Sequence, residues 1–192
     1  MTVFSINDGA LECRFMGEIL RIEPWNNDAL RVRSRPGREL VPGHVDALLA
    51  PSASEGQISI NDDRAAITIG RLTAEIVLKT RYGAEMKREA VIRFTRTDAG
   101  EELLSETRSH FAGPRTRSFK ALASGSWRLE AQFSAYEGES LWGMGQQQHG
   151  AMDLKGVSTT LLQQNAHAVI PFVVSSRGYG FLWNNPATGK AE

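Results

Sequence analysis

The sequence has a single cysteine, Cys13, in 192 residues. One thiol excludes an internal disulfide and a cysteine-rich zinc site. Cys13 sits in an apolar-rich strand candidate, where a buried, inert thiol fits better than a nucleophile. No run of about eighteen apolar residues occurs, which excludes a membrane-spanning helix. Met1 to Phe15 has no basic segment followed by an apolar core, so no signal peptide is expected. Together these absences point to a reducing cytoplasm and no membrane partner. Net charge is also missing: 22 Lys and Arg balance 22 Asp and Glu. A strongly basic nucleic-acid surface is therefore disfavoured. There is no Walker A sequence and no Gly-x-Ser-x-Gly elbow. Gly143-Met-Gly145 lacks the third glycine of a dinucleotide fingerprint. The chain is too short for an eight-fold β/α barrel, which takes about 250 residues.

What is present is a globular composition, 41% hydrophobic and 23% charged. It is enough for one domain with a real core, and residues 1–192 read as a single domain. The dominant period is two. Ala29 to Arg35 places Leu30, Val32 and Ser34 on one face and Arg31, Arg33 and Arg35 on the other. That is a half-buried strand. An arginine row could meet phosphate, but Glu18, Glu23, Asp28 and Glu39 dilute its field. Alternation returns at Ala66–Ile69, Leu72–Lys79, Ala90–Arg96 and Trp127–Ala135. In the last, Trp127, Leu129, Ala131 and Phe133 share a face. Asn61-Asp62-Asp63 and Thr97-Asp98-Ala99-Gly100 supply turn chemistry between strands. Helical signal is confined to two turns at His44–Ala50, bounded by Pro42-Gly43 and Pro51. The fold class is therefore all-β, an antiparallel sandwich with little helix.

The composition changes after Tyr136, where charges thin and Gly, Gln, Asn and aromatic residues accumulate. Gln146 to Ala168 shows no period. A connection of that length without secondary structure is uncommon in a compact domain and is often functional. It carries two amide clusters, Gln146-Gln147-Gln148 and Gln163-Gln164-Asn165. Amides offer both donors and acceptors, the mixture that sugar hydroxyls need. Trp142 or Trp183 could stack on sugar rings. On the residues alone, the favoured alternative is a polar loop packed by its own hydrogen bonds, with the tryptophans in the core. Beyond it, Ile170 to Trp183 reads as a hairpin turning at Ser175-Ser-Arg-Gly178. Pro171 cannot donate to a ladder, so it belongs at a strand start or an edge. Of the histidines 44, 110, 149 and 167, none pairs at i and i+4. His149 and Asp153 have one-turn spacing, but Gly150 and the missing helical pattern weaken a metal reading. Neither a metal nor an organic cofactor is implied.

Four segments in order then carry a resemblance. They are Gly138-Glu-Ser-Leu-Trp-Gly-Met-Gly145, Met152-Asp-Leu-Lys-Gly156, Leu162-Gln-Gln-Asn165 and Ile170-Pro-Phe-Val-Val-Ser-Ser-Arg-Gly-Tyr-Gly-Phe-Leu-Trp-Asn-Asn-Pro186. Together they resemble the N-terminal domain of family 31 glycoside hydrolases, the α-glucosidase and α-xylosidase family. The resemblance implies a sandwich of the galactose-mutarotase type. Such a domain docks on a catalytic β/α barrel and contributes a loop to the rim of the substrate pocket. It also implies a retaining α-glycosidase whose two catalytic aspartates lie in the barrel. No catalytic residue is assigned here, and the chain reads as lacking its last strands and its barrel. The fragment alone is expected to be inactive and prone to self-association through the Ile170–Trp183 hairpin. Gln163, Gln164 and Asn165 are the candidate substrate-binding residues, with an α-linked glucoside or xyloside as the partner. Family members often read Gly-Leu-Gly-Glu where this chain has Gly143-Met-Gly-Gln146, which removes a carboxylate. The rival readings are a stand-alone carbohydrate-binding module, a mutarotase-like epimerase and a docking domain without ligand contact.

Overall fold

Tight two-residue turns set the first sheet. In the computed structural model, β1 (Phe4–Asn7), β2 (Ala10–Phe15), β3 (Glu18–Asn26) and β4 (Ala29–Pro36) form an antiparallel meander in that order. Asp8-Gly9 joins β1 to β2 and Met16-Gly17 joins β2 to β3, all four at positive φ. That is the backbone of a type I′ hairpin turn, whose twist matches the strands it joins. A second meander follows: β5 (Gln57–Ile60), β6 (Arg64–Ile69), β7 (Leu72–Arg81), β8 (Lys87–Arg96) and β9 (Glu101–Ser105). A separate hairpin pairs β10 (Arg117–Ala121) with β11 (Trp127–Ala131). The structure describes residues 3–37, 39–40, 48–51, 54–81, 87–107 and 116–192. Every regular element among the described residues is a strand. Of the two helical turns expected at His44–Ala50, residues 44–47 lie outside the described residues, and 48–50 are not helical.

The chain divides into two compact units, Met1–Ser134 and Ala135–Glu192. In the first, the two meanders face each other as a sandwich. Leu11, Cys13, Leu20 and Ile22 of the first sheet join one apolar core with Ala65, Ile67, Ala74, Ile76 and Ile92 of the second. These are alternate positions along their strands, so the sequence period of two becomes the inner layer. Cys13 is buried, and burial, with the Glu18 charge as a lesser cause, pushes its thiol up to about 12. It is an inert core side chain.

The opposite face of the first sheet answers the arginine question. Glu23 bridges Arg21 at 3.1 Å, Arg33 at 3.0 Å and Arg31 at 4.0 Å. Glu12, buried, bridges Arg21 at 2.8 Å and Arg14 at 3.3 Å. Burial works against the Glu12 charge, but hydrogen bonds from Arg21 and Asn7 outweigh it and lower its pKa. Arg31 and Arg33 of the row thus belong to a cross-strand ion-pair lattice, while Arg35 bonds the Pro36 carbonyl. A second buried group ties the β10–β11 hairpin down. Arg117 binds Glu18 at 2.7 Å, the Ala90 carbonyl at 2.9 Å and the Glu106 carboxylate. Glu106 also accepts from Ile92 N at 2.8 Å.

The second unit holds β12 (Leu141–Gln146), β13 (Thr159–Leu161), β14 (Ala168–Ser175), β15 (Tyr179–Leu182) and β16 (Gly189–Ala191). Its three-stranded sheet runs β12-β14-β15, and β13 pairs with β16. Met144, Leu154, Leu161 and Val173 form its core, with Trp183 packed against them. Two expectations are corrected. The Gln146–Ala168 stretch contains a strand, β13, too short to show a period. Pro171 lies in the middle strand of its sheet, not at an edge or a start. The β12–β14 ladder skips there: Gly143 pairs with Val173 and Gly145 with Val169. A bulge relieves the missing donor, and the Pro171 carbonyl still accepts from Trp183 N at 2.8 Å.

Candidate functional site

The second unit gathers the motif residues, and most of them hold the backbone in place. β12 leaves its ladder at Gly143-Met144-Gly145, three consecutive residues at positive φ. A Cβ on Gly143 would sit 2.3 Å from the Phe172 carbonyl oxygen, and one on Gly145 would sit 1.9 Å from that of Ala168. Only glycine permits this approach of the two chains. Met144 accepts the unfavourable conformation because its side chain is buried in the core of this unit.

Asp153 joins the next motif to β12. Its Oδ1 accepts from Leu141 N and from Lys155 N, each at 3.0 Å. Those two backbone bonds hold its carboxyl below the usual range. Glu139 is the buried charge of the unit. It accepts from Ser175 Oγ at 2.6 Å and Tyr179 OH at 2.8 Å, and Lys155 lies 3.5 Å away. Burial opposes the charge, but these partners prevail and lower the Glu139 pKa. Burial and then the Glu139 carboxylate push Tyr179 up to about 12. Ser175 Oγ also accepts from Arg177 N at 3.0 Å, and the Arg177 guanidinium stacks 4.2 Å over Tyr136. The Ser175-Ser-Arg-Gly178 turn is therefore clamped to the chain just before β12. The expected hairpin forms as read, with Ser175 opposite Tyr179. An epimerase would need an acid and a base converging on an open space, whereas Glu139 is occupied on all these sides.

The sequence-predicted residues lie in one exposed turn. Gln163 Oε1 accepts from Val169 N at 3.0 Å, and its Nε2 donates to Gln164 O at 3.1 Å and to His167 O. His167 N donates to Gln164 O at 3.1 Å. The Gln163 amide closes the turn on itself and leaves Gln164 and Asn165 exposed at its tip. The first amide cluster comes to the same end of the sheet, because Gln146 is the Cα partner of Ala168. Gln147 Nε2 donates back to Met144 O at 3.0 Å. Sequence spacing could not show this convergence, since it depends on the register across the bulge. His149 Nδ1 accepts from Ala151 N at 3.1 Å, and the Asp153 bonds are those already given. His44 and His110 lie outside the described residues.

The tryptophans divide. Trp183 packs on the core, 6.3 Å from the Phe181 ring centre, while Trp142 is 40% exposed. Trp142 shares an open sheet face with Ile170, Phe172, Val174 and Leu182, all exposed. Register explains the grouping: Trp142 pairs with Val174 and Phe172 with Leu182. Five large apolar side chains on one open face exceed what scattered surface residues account for.

The chain resembles known proteins. The chain is 37% identical over 191 residues to an uncharacterized family 31 glucosidase, ORF2, of Pseudescherichia vulneris, covering 95% of this chain and 36% of that protein. It is 41% identical over 73 residues to an alpha-xylosidase of Saccharolobus solfataricus, covering 33% of this chain and 10% of that one. The crystal structure of a GH31 alpha-xylosidase from a soil metagenome, complexed with xylose, superposes with a TM-score of 0.83 at 29% identity. That match covers 97% of this chain and 28% of the xylosidase, so the chain spans about a third or less of these relatives. The bulge at Gly143-Met144-Gly145 and the clamped turn at Ser175–Tyr179 fall inside one family match, residues 19–191, and by it the chain belongs to the glycosyl hydrolase 31 N-terminal galactose mutarotase-like domain family.

Proposed function

We propose that this chain is the N-terminal β-sandwich of a retaining α-glycosidase that acts on α-xylosides in preference to α-glucosides. The xyloside preference is supported by the named xylosidases among its relatives, including one solved with xylose. The two compact units belong to one N-terminal domain in this reading, and the paired aspartates that cleave the bond sit in a following β/α barrel. Retention of configuration suits two carboxyl groups about 5–5.5 Å apart, one as nucleophile and one as acid/base. The sandwich itself carries no catalytic group. Its open face at Trp142, Ile170, Phe172, Val174 and Leu182 docks on the barrel, and burying it supplies the adhesion.

The observation that carries the reading is the braced turn. Gln163 fixes the backbone, and Gln164 and Asn165 stand at its tip with exposed amides. Placed at the pocket rim, these amides bond substrate hydroxyls while Gln163 holds them in position. A cytoplasmic location belongs to the same reading and is supported by the buried, unpaired Cys13 thiol. The test is hydrolysis by the full-length protein and by the 192-residue chain. Full-length protein should cleave p-nitrophenyl α-xyloside faster than the α-glucoside, with retention seen by NMR, and the 192-residue chain should cleave neither. Turnover by the purified 192-residue chain above a contaminant control would overturn the assignment of catalysis to a barrel.

A further inference from the structure

Among the described residues the β10–β11 hairpin has an open edge, and the two strands form a sheet of their own. A lone two-stranded sheet is marginal in water. Its hydrogen-bond parity is set by two bonds: Leu122 N donates to Ser126 O and Gln132 N to Thr116 O, each at 2.9 Å. Even-numbered residues of β11 therefore bond toward β10. The N–H and C=O groups of Trp127, Leu129 and Ala131 point away from it. Just past β11 two backbone bonds keep the same parity. Thr107 N donates to Gln132 O and Ser134 N to Ser105 O, both through even positions on the β10 side.

Two of the usual protections of an edge are absent. β11 has no proline and no bulge, and its charges lie on the outer face. Trp127, Leu129 and Ala131 share the other face with Phe119 and Ala121. Exposure on that face rises toward the tip. Arg117 is buried, Leu129 is half-buried and Trp127 is 52% exposed.

The sequence Trp127-Arg128-Leu129-Glu130-Ala131 is self-complementary about its centre. A two-fold axis through Leu129 pairs it with itself in an antiparallel copy. Trp127 then lies opposite Ala131, and Arg128 opposite Glu130. The parity agrees, because an on-axis pair of this kind needs outward N–H and C=O groups, and Leu129 has them. Axes through Arg128 or Glu130 would set like charges face to face. Glu130 accepts from Gln132 Nε2 at 3.1 Å within its own strand, and among the described residues no ion pair is recorded for Arg128.

We infer that β11 is a homodimerisation edge whose occupant is the β11 strand of a second copy of this chain. The product is a four-stranded antiparallel sheet with two Arg128–Glu130 pairs flanking the axis. Its apolar face takes Trp127, Leu129 and Phe119 from each copy. Sedimentation of the 192-residue chain over a concentration series tests this. The wild type should dimerise reversibly. Glu130→Arg should weaken the dimer by about tenfold, since two cross-strand pairs become repulsive. The charge swap Arg128→Glu with Glu130→Arg should restore it. Far-UV circular dichroism checks that each variant folds. Hydrogen exchange on the wild type gives a second readout that needs no variant. The amides of Trp127, Leu129 and Ala131 should gain protection with concentration, and those of Arg128 and Glu130 should not. A wild type that is monomeric throughout overturns the inference. So does a dimer indifferent to Glu130→Arg, which would place association at another face.

Discussion

At the residue scale the most informative side chain is Glu139. Its side chain is only 3% exposed, yet it stays ionised because Ser175, Tyr179 and Lys155 converge on it. Its folded pKa lies below the ordinary 4.5. The folded state therefore binds this proton less readily than the unfolded chain. The resulting stability is present above about pH 4.5 and is lost as pH falls through the lower, folded value. Glu139→Gln removes the charge but keeps the shape. It should lower stability at pH 7 by about 1.5–3 kcal/mol, the range for a hydrogen bond to a charged group. It should also flatten the acid limb of a plot of denaturant midpoint against pH. An unchanged acid limb would mean that Glu139 does not set it. None of this is legible in the sequence. Glu139 lies 36 positions before Ser175 and 40 before Tyr179, and the contact exists only once β14 and β15 have folded back.

At the element scale, legibility follows burial. β11 alternates in burial because one face packs and the other does not, so its period is readable. β4 and β8 alternate in residue type only: Val32 is exposed while Arg31 and Arg33 are half-buried in ion pairs, and Ala90, Val91 and Ile92 are buried in succession. β2 was harder. Its inner face carries Leu11 and Cys13 while Glu12 is buried on the outer one, so both faces are covered and alternation in exposure disappears. β13 and β16 have three residues each, too few for any period. Pro171 misled for a physical reason: proline argues against a central strand, and the bulge that excuses it depends on Gly143 and Gly145, 28 and 26 residues earlier in the chain. That bulge makes a graded prediction. Gly143→Ala or Gly145→Ala combines positive φ with a direct collision against β14 carbonyls and should cost about 3 kcal/mol or more. Gly9→Ala also sits at positive φ, but its Cβ would meet nothing within 4 Å. It should cost about 1–2 kcal/mol, the left-handed penalty alone. Urea midpoints separate the two cases, and equal losses would show that the close approach is not what demands glycine.

At the scale of the whole molecule, an apolar face accompanies a polar turn. Both belong to the second unit, and the motif segments that signalled the family supply both. The sequence predicts an apolar surface at Ile170–Trp183, and Ile170, Phe172, Val174 and Leu182 are exposed there beside Trp142 of β12, among other exposed apolar side chains of the chain. Replacing Trp142 and Phe172 together by Ser should cut the binding of an apolar fluorescent dye to the 192-residue chain while leaving its far-UV spectrum unchanged. Undiminished dye binding would place the open apolar surface elsewhere. The central claim is that Gln164 and Asn165 touch substrate from the rim, braced by Gln163. It is tested most directly by steady-state kinetics of the full-length protein on its preferred α-xyloside, for Gln164→Ala and Asn165→Ala, beside thermal melts. The account predicts a fall in kcat/KM of roughly tenfold for at least one variant, with the melting temperature moved by less than about 2 °C. Wild-type kinetics in both variants would contradict it, and a lowered melting temperature without a kinetic loss would show the turn to be packing alone.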